Sequence, residues 1–154
     1  MKHVLPCTLL VVAGAAAAQP PAQTITAATS AVPVAGSDQY FSGQVRVQAL
    51  SPAGDSINAS SAYVTFEPGA RSAWHTHPRG QYLIVTAGSG LTQEWGKRVQ
   101  PLKEGDVVWC PPGVKHWHGA APGSALTHLA LTGTLDGKAV QWMEKVSDEQ
   151  YHQR

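Results

Sequence analysis

From residue 40 onward the chain shows no sustained helical period of apolar residues. It is a series of short β-type runs cut by Gly, Pro and Asp. The runs fall at residues 44–49, 61–66, 73–77, 82–87, 91–95, 107–110, 116–118 and 125–131. Pro68-Gly69, Gly88-Ser89-Gly90, Gly96-Lys97, Gly105-Asp106 and Pro122-Gly123 separate many of them. Short strands at this spacing bury a core only by folding over one another, so the expected class is all-β, an antiparallel sandwich or barrel. Val140, Trp142, Glu144 and Val146 alternate as a further edge strand. Ser147, followed by Asp148, Glu149 and Gln150, is a capping-box start to a short terminal helix. Residues 40–154 are thus read as one domain with a single core.

Ahead of that domain, Lys2, an apolar run from Val4 and a small-residue stretch ending at Ala16 and Ala18 have the three parts of a secretory signal. Residues 1–18 are expected to be removed, leaving a secreted or periplasmic protein. Residues 19–39, uncharged up to Ser37 and rich in Pro, Ala, Thr and Ser, are expected to be a flexible tether. The apolar run is too short to span a bilayer, so no stable membrane anchor is expected. Cleavage removes one basic side chain, taking Lys and Arg from 11 to 10 against 10 acidic residues. A neutral chain without charge clusters argues against nucleic acid as a partner and leaves a small-molecule substrate as the expected one. Cys110 would then be alone, which excludes an intramolecular disulfide, and its apolar setting beside Trp109 reads as a small buried hydrophobe.

The chemistry lies in the histidines. His75 and His77 are two residues apart in a β-type run, so their imidazoles project from the same face and can meet one ion. His116 and His118 repeat the device. Two such pairs within about forty-five residues are hard to explain by core packing, and neutral imidazoles are ligands for divalent first-row metals. His128, in the alternating run Thr127-His128-Leu129, has a plausible inward register. Trp74, Trp109, Trp117 and Trp142, with Leu83, Val85, Val108 and Leu129, read mostly as core and wall.

The turn residues around these pairs resemble the two signatures of the cupin superfamily. Gly69, His75, His77 and Gly88 fit the first, with Gln81 where most members carry Glu. Gly105, Pro111, Gly113 and His116 fit the second, whose usual final Asn is replaced by Ala120. The resemblance implies a small jelly-roll barrel with a short C-terminal helix. It also implies one divalent metal held by His75, His77, Gln81 and His116. Stretches such as Trp74-His-Thr-His-Pro and Lys115-His-Trp-His-Gly-Ala are similar to the small bacterial manganese cupins that act as (R)-selective hydroxynitrile lyases. That likeness implies Mn2+ as the metal, with Fe2+, Ni2+ or Zn2+ as other ions this donor set accepts. It implies His118 and His128 in proton transfer and Ser72 as a pocket hydroxyl.

An amide at position 81 cannot take a proton as a carboxylate can, and it leaves the metal's double charge undiminished. The site is therefore expected to favour Lewis-acid work on a carbonyl or cyanohydrin oxygen. Three functions follow from the sequence: reversible cleavage of cyanohydrins, a cupin dioxygenase or decarboxylase-related reaction, and non-catalytic binding of metal or a small ligand. His118 is either the base or a partner to a ligand, and Ser72 either touches substrate or is a turn hydroxyl. Pairing into a homodimer or higher homo-oligomer, common in cupins, is expected.

Overall fold

The computed structural model describes residues 22–52 and 57–153; the expected signal segment lies outside them. In chain order the strands are β1 (Val34–Ala35), β2 (Phe41–Ser42), β3 (Val45–Ser51), β4 (Ala59–Phe66), β5 (Arg71–Ser72), β6 (His75–Thr76), β7 (Gln81–Glu94), β8 (Gln100–Lys103), β9 (Val107–Cys110), β10 (His116–Ala120), β11 (Leu126–Gly133) and β12 (Gln141–Trp142). A single α-helix among the described residues, α1 (Asp148–His152), closes the chain. Its Ser147 hydroxyl accepts from the Gln150 amide while the Gln150 side chain accepts from the Ser147 amide, the reciprocal cap expected from sequence. No helix among the described residues is long and apolar enough to cross a membrane.

All pairings are antiparallel, and β7 organises them. Its first half pairs with β11 and β9, its second half with β10 and β8, so one strand belongs to both walls of a curled sheet. The main path runs β1-β3-β4-β11-β7-β10-β5-β2. Gly88-Ser89-Gly90 therefore does not turn the chain between two strands; β7 continues through it, with Gly88 at φ 78°. Its glycines serve close approach: a Cβ on Gly90 would stand 2.4 Å from the Gly119 carbonyl oxygen of β10. Of the expected run over 73–77 only His75–Thr76 is strand, as β6, and β5 lies just ahead of the run. Of the alternating end segment, β12 pairs with β6, and Met143 and Glu144 continue the pairing through backbone hydrogen bonds with Trp74.

The segment expected as tether enters the fold before residue 40. β1 pairs with β3 at Val34↔Val47 and Ala35↔Arg46, and the Gly36 amide donates to the Val45 carbonyl. The outer edge of β3 has backbone groups to satisfy, and a β-branched residue at 34 suits that role.

Two apolar clusters result. One fills the barrel, with Val45, Val64, Phe66, Val85, Leu102 and Leu126 among its members. The other, Trp74, Trp117, Val146 and Tyr151, forms beneath α1, where the Tyr151 hydroxyl donates to the Ala120 carbonyl. Trp109, read from sequence as core or wall, is 46% exposed. Cys110 beside it is buried, so strand alternation turns Trp109 outward, where it packs on Tyr82 with ring centroids 4.5 Å apart. Burial pushes the Cys110 thiol up to about 12, so it stays protonated and unreactive.

Candidate metal centre

The site forms where β6, β10 and the start of β7 meet. His75 and His116 face each other directly across the β6–β10 pair, with ring centroids 4.3 Å apart. His77 follows β6, with its centroid 5.0 Å from His75 and 5.4 Å from His116. Pro78 and Gly80 then turn the chain into β7. A Cβ at Gly80 would collide with the Trp109 ring at 2.4 Å and the Cys110 carbonyl at 2.8 Å, so only glycine lets Gln81 begin the strand here.

Each of these three imidazoles has its Nδ1 set against a backbone carbonyl: His75 on Ala73 at 2.9 Å, His77 on Ala139 at 2.7 Å, His116 on Val114 at 2.9 Å. A carbonyl only accepts, so Nδ1 carries the proton and Nε2 is left as a lone pair. Nε2 of His77, Nε2 of His116 and Oε1 of Gln81 are buried and have no hydrogen-bond partner. Buried polar atoms are normally paired, and these three acceptors call for a cation; a fourth such atom, Nδ1 of His128, belongs to the pair that His128 forms with His118. Burial first, then the neighbouring imidazoles, holds His75 well below the usual histidine range. Burial likewise lowers His77, and takes His116 down to about 4. All three are neutral at pH 7 and fit a divalent metal.

His118 and His128 also lie in this region. His118 Nδ1 and His128 Nε2 are 3.1 Å apart, sharing one proton. Both are buried, which puts His118 well below the usual range and His128 at about 4. Candidate ligand atoms of His75, His116 and His118 all lie within 4.8 Å of one another, so two overlapping sets share His75 and His116. One adds His118; the other, expected from sequence, adds His77 and Gln81. We favour the second, because buried acceptor atoms without a hydrogen-bond partner are on His77 and Gln81, whereas His118 Nε2 is not among such atoms.

A cavity of about 180 Å³ opens on this group. Phe41, Ala62, Val64, Ala130, Val140 and Trp142 make its apolar wall; His75, His77, Gln81, His118, His128 and Thr132 supply polar atoms. His116 lies instead on a neighbouring cavity of about 200 Å³. A larger space of about 510 Å³ beneath α1 contains none of the site residues. Ser72 is buried, and its Oγ accepts from the His118 amide at 3.2 Å, tying β5 to β10; it is not among the residues lining the cavity. Trp74 and Trp117 pack away from the cavity, under α1.

Thr132 was missed from sequence. The Gln81 amide donates to its Oγ1 at 3.0 Å. A signal was present: continuing the inward register from His128 by twos reaches Ala130 and Thr132.

The family model for the cupin domain matches residues 62–131. The chain is 60% identical over 116 residues to an (R)-mandelonitrile lyase of Granulicella tundricola, covering 75% of this chain and 88% of that protein. It is similar to a cupin-like protein of Thermotoga maritima, at 45% identity and a TM-score of 0.73, covering 76% of this chain and 89% of that one. A cupin-2 domain from Rhodospirillum rubrum shares the fold, with 20% identity, a TM-score of 0.63 and 85% of each chain covered.

Proposed function

The chain belongs to the cupin family, and on that premise we propose that it is a metal-dependent lyase that reversibly cleaves cyanohydrins to an aldehyde and hydrogen cyanide. One observation carries this reading: orphaned acceptor atoms on His77, Gln81 and His116 stand beside a neutral, hydrogen-bonded pair of histidines. The similarity to an (R)-mandelonitrile lyase supports the same choice. His75, His77, Gln81 and His116 would hold the metal, Mn2+ in this reading. When bound, it supplies a Lewis acid for an oxygen atom of the substrate.

The remaining work falls to the side chains. The apolar wall of Phe41, Val64 and Trp142 takes up the organic group of the substrate and excludes water. His118, neutral because it is buried, accepts the hydroxyl proton at Nε2 while its Nδ1–H leans on His128 Nε2. The O–H electron pair becomes the second bond of the carbonyl. The carbon–carbon bond to the cyano group breaks with its pair, and cyanide leaves with the proton that His118 returns. His128 steadies the charged intermediate form of His118 by accepting its Nδ1 proton more strongly. No carboxylate lines the cavity, so this pair is the base available.

The test uses mandelonitrile without oxygen. Release of benzaldehyde by the wild type, with His118→Ala keeping its metal and losing at least ~100-fold in rate, is the expected result. A variant as fast as wild type would remove His118 from the reaction. Absence of nitrile turnover, with oxygen-dependent cleavage of a catechol instead, would replace the lyase by a dioxygenase.

A further inference from the structure

Gln81 presents an ambiguity that no histidine does. The two ends of its amide are equal in size and opposite in function: Oε1 offers lone pairs, Nε2 offers hydrogens. Only the first helps to hold a cation. With Nε2 turned inward, the amide would donate to the lone pair on His77 Nε2 and plug the site with a hydrogen bond. In the structure Oε1 is the buried end without a partner, and Nε2 is turned outward to the Thr132 hydroxyl at 3.0 Å. Gln81 and Thr132 face each other directly across β7 and β11, and both are nearly buried, 6% and 7% exposed.

Resting on the reading of Gln81 as a ligand, we infer that Thr132 is a positioning residue that supports the Gln81 amide with Oε1 towards the three imidazoles, by accepting from Nε2. The hydroxyl can meet either end of an amide, so the bound cation draws Oε1 inward and the Thr132 oxygen then takes the Nε2 hydrogen. Valine at this position fills nearly the same space but accepts nothing. The amide hydrogens then find their nearest acceptors on the imidazole nitrogens, and the amide turns over. The cost appears on metal binding and not on the fold, because the turned amide is hydrogen-bonded too.

The experiment measures Mn2+ retained by the purified protein against graded chelator, with thermal unfolding of the stripped protein alongside. Three variants are compared: Thr132→Val, Thr132→Ser and Gln81→Leu. Thr132→Val is expected to weaken Mn2+ by at least ~10-fold, as loss of a supporting hydrogen bond to a ligand does, with the unfolding temperature of the stripped protein close to wild type. Thr132→Ser restores wild-type retention. Gln81→Leu weakens Mn2+ at least as much as Thr132→Val. If Gln81→Leu is weak and Thr132→Val is not, the inference about Thr132 falls while Gln81 stands. If Gln81→Leu retains Mn2+ like wild type, Gln81 is not a ligand and both fall. If Thr132→Ser is as weak as Thr132→Val, the hydroxyl is not the operative group and the inference is overturned.

Discussion

Replacing His128 by Gln should flatten the acid limb of the protein's stability curve. His128 is 0% exposed, and burial lowers it from the ordinary histidine value of about 6.5 to about 4. The unfolded chain therefore takes up this proton first. Above pH 6.5 neither state is protonated and the residue has no pH effect. As pH falls from 6.5 towards 4, protonation favours the unfolded state and stability is lost; below about 4 both states carry the proton and the loss levels off. For a drop from 6.5 to 4, the linkage relation gives about 2 kcal/mol at pH 5 and about 3 kcal/mol at pH 4. Gln cannot titrate, yet it keeps an amide able to hydrogen-bond towards His118. The assay is urea unfolding at pH 7, 6, 5 and 4 with EDTA present, so that metal release does not add its own pH dependence. With a urea slope of about 2 kcal/mol per molar, the wild-type midpoint should fall by roughly 1.5 M more than the variant's between pH 7 and pH 4. Parallel curves for the two proteins would refute the reasoning, because His128 would then titrate alike in the folded and unfolded chains.

Two further outcomes follow from the site. His75→Ala or His116→Ala should abolish stoichiometric metal, read by elemental analysis, while the far-ultraviolet spectrum keeps its β character, since the core clusters do not include these rings. Gln81→Glu should keep the metal, because a carboxylate is at least as good a ligand as an amide, but should slow nitrile cleavage by lowering the positive charge of the site; unchanged rate and metal preference would remove Gln81 from the centre.

What could be read directly from the chain was local. Strand alternation alone puts His75 and His77 on one side, and it does the same for His116 and His118, so both pairs were visible without a partner strand. The helix cap at Ser147 and Gln150 is equally local, and it formed. What stayed hidden depended on a neighbour distant in sequence. The glycines at 88 and 90 look like a turn until β10 lies against Gly90. Trp109 looks like core until the inward side of β9 is known to be the Cys110 side. Thr132 is 51 residues from the amide it holds, and the alternation that carries His128 inward places Thr132 on the same face without naming its partner.

The histidine pair shows the same limit in three dimensions. His118 is in β10 and His128 in β11, and β7 lies between those strands in the sheet order. In a flat sheet two strand spacings would hold them about 10 Å apart at the backbone, with side chains standing parallel. They are nevertheless 3.1 Å apart at Nδ1 and Nε2, because β7 pairs with β11 through its first half and with β10 through its second. The curl of that one fourteen-residue strand turns the two inner faces towards each other. Chemistry that needs these two rings in contact therefore depends on the length and continuity of β7. Its dependence on Gly90 is the same fact seen from the backbone: a side chain there would push β10 away and part the pair.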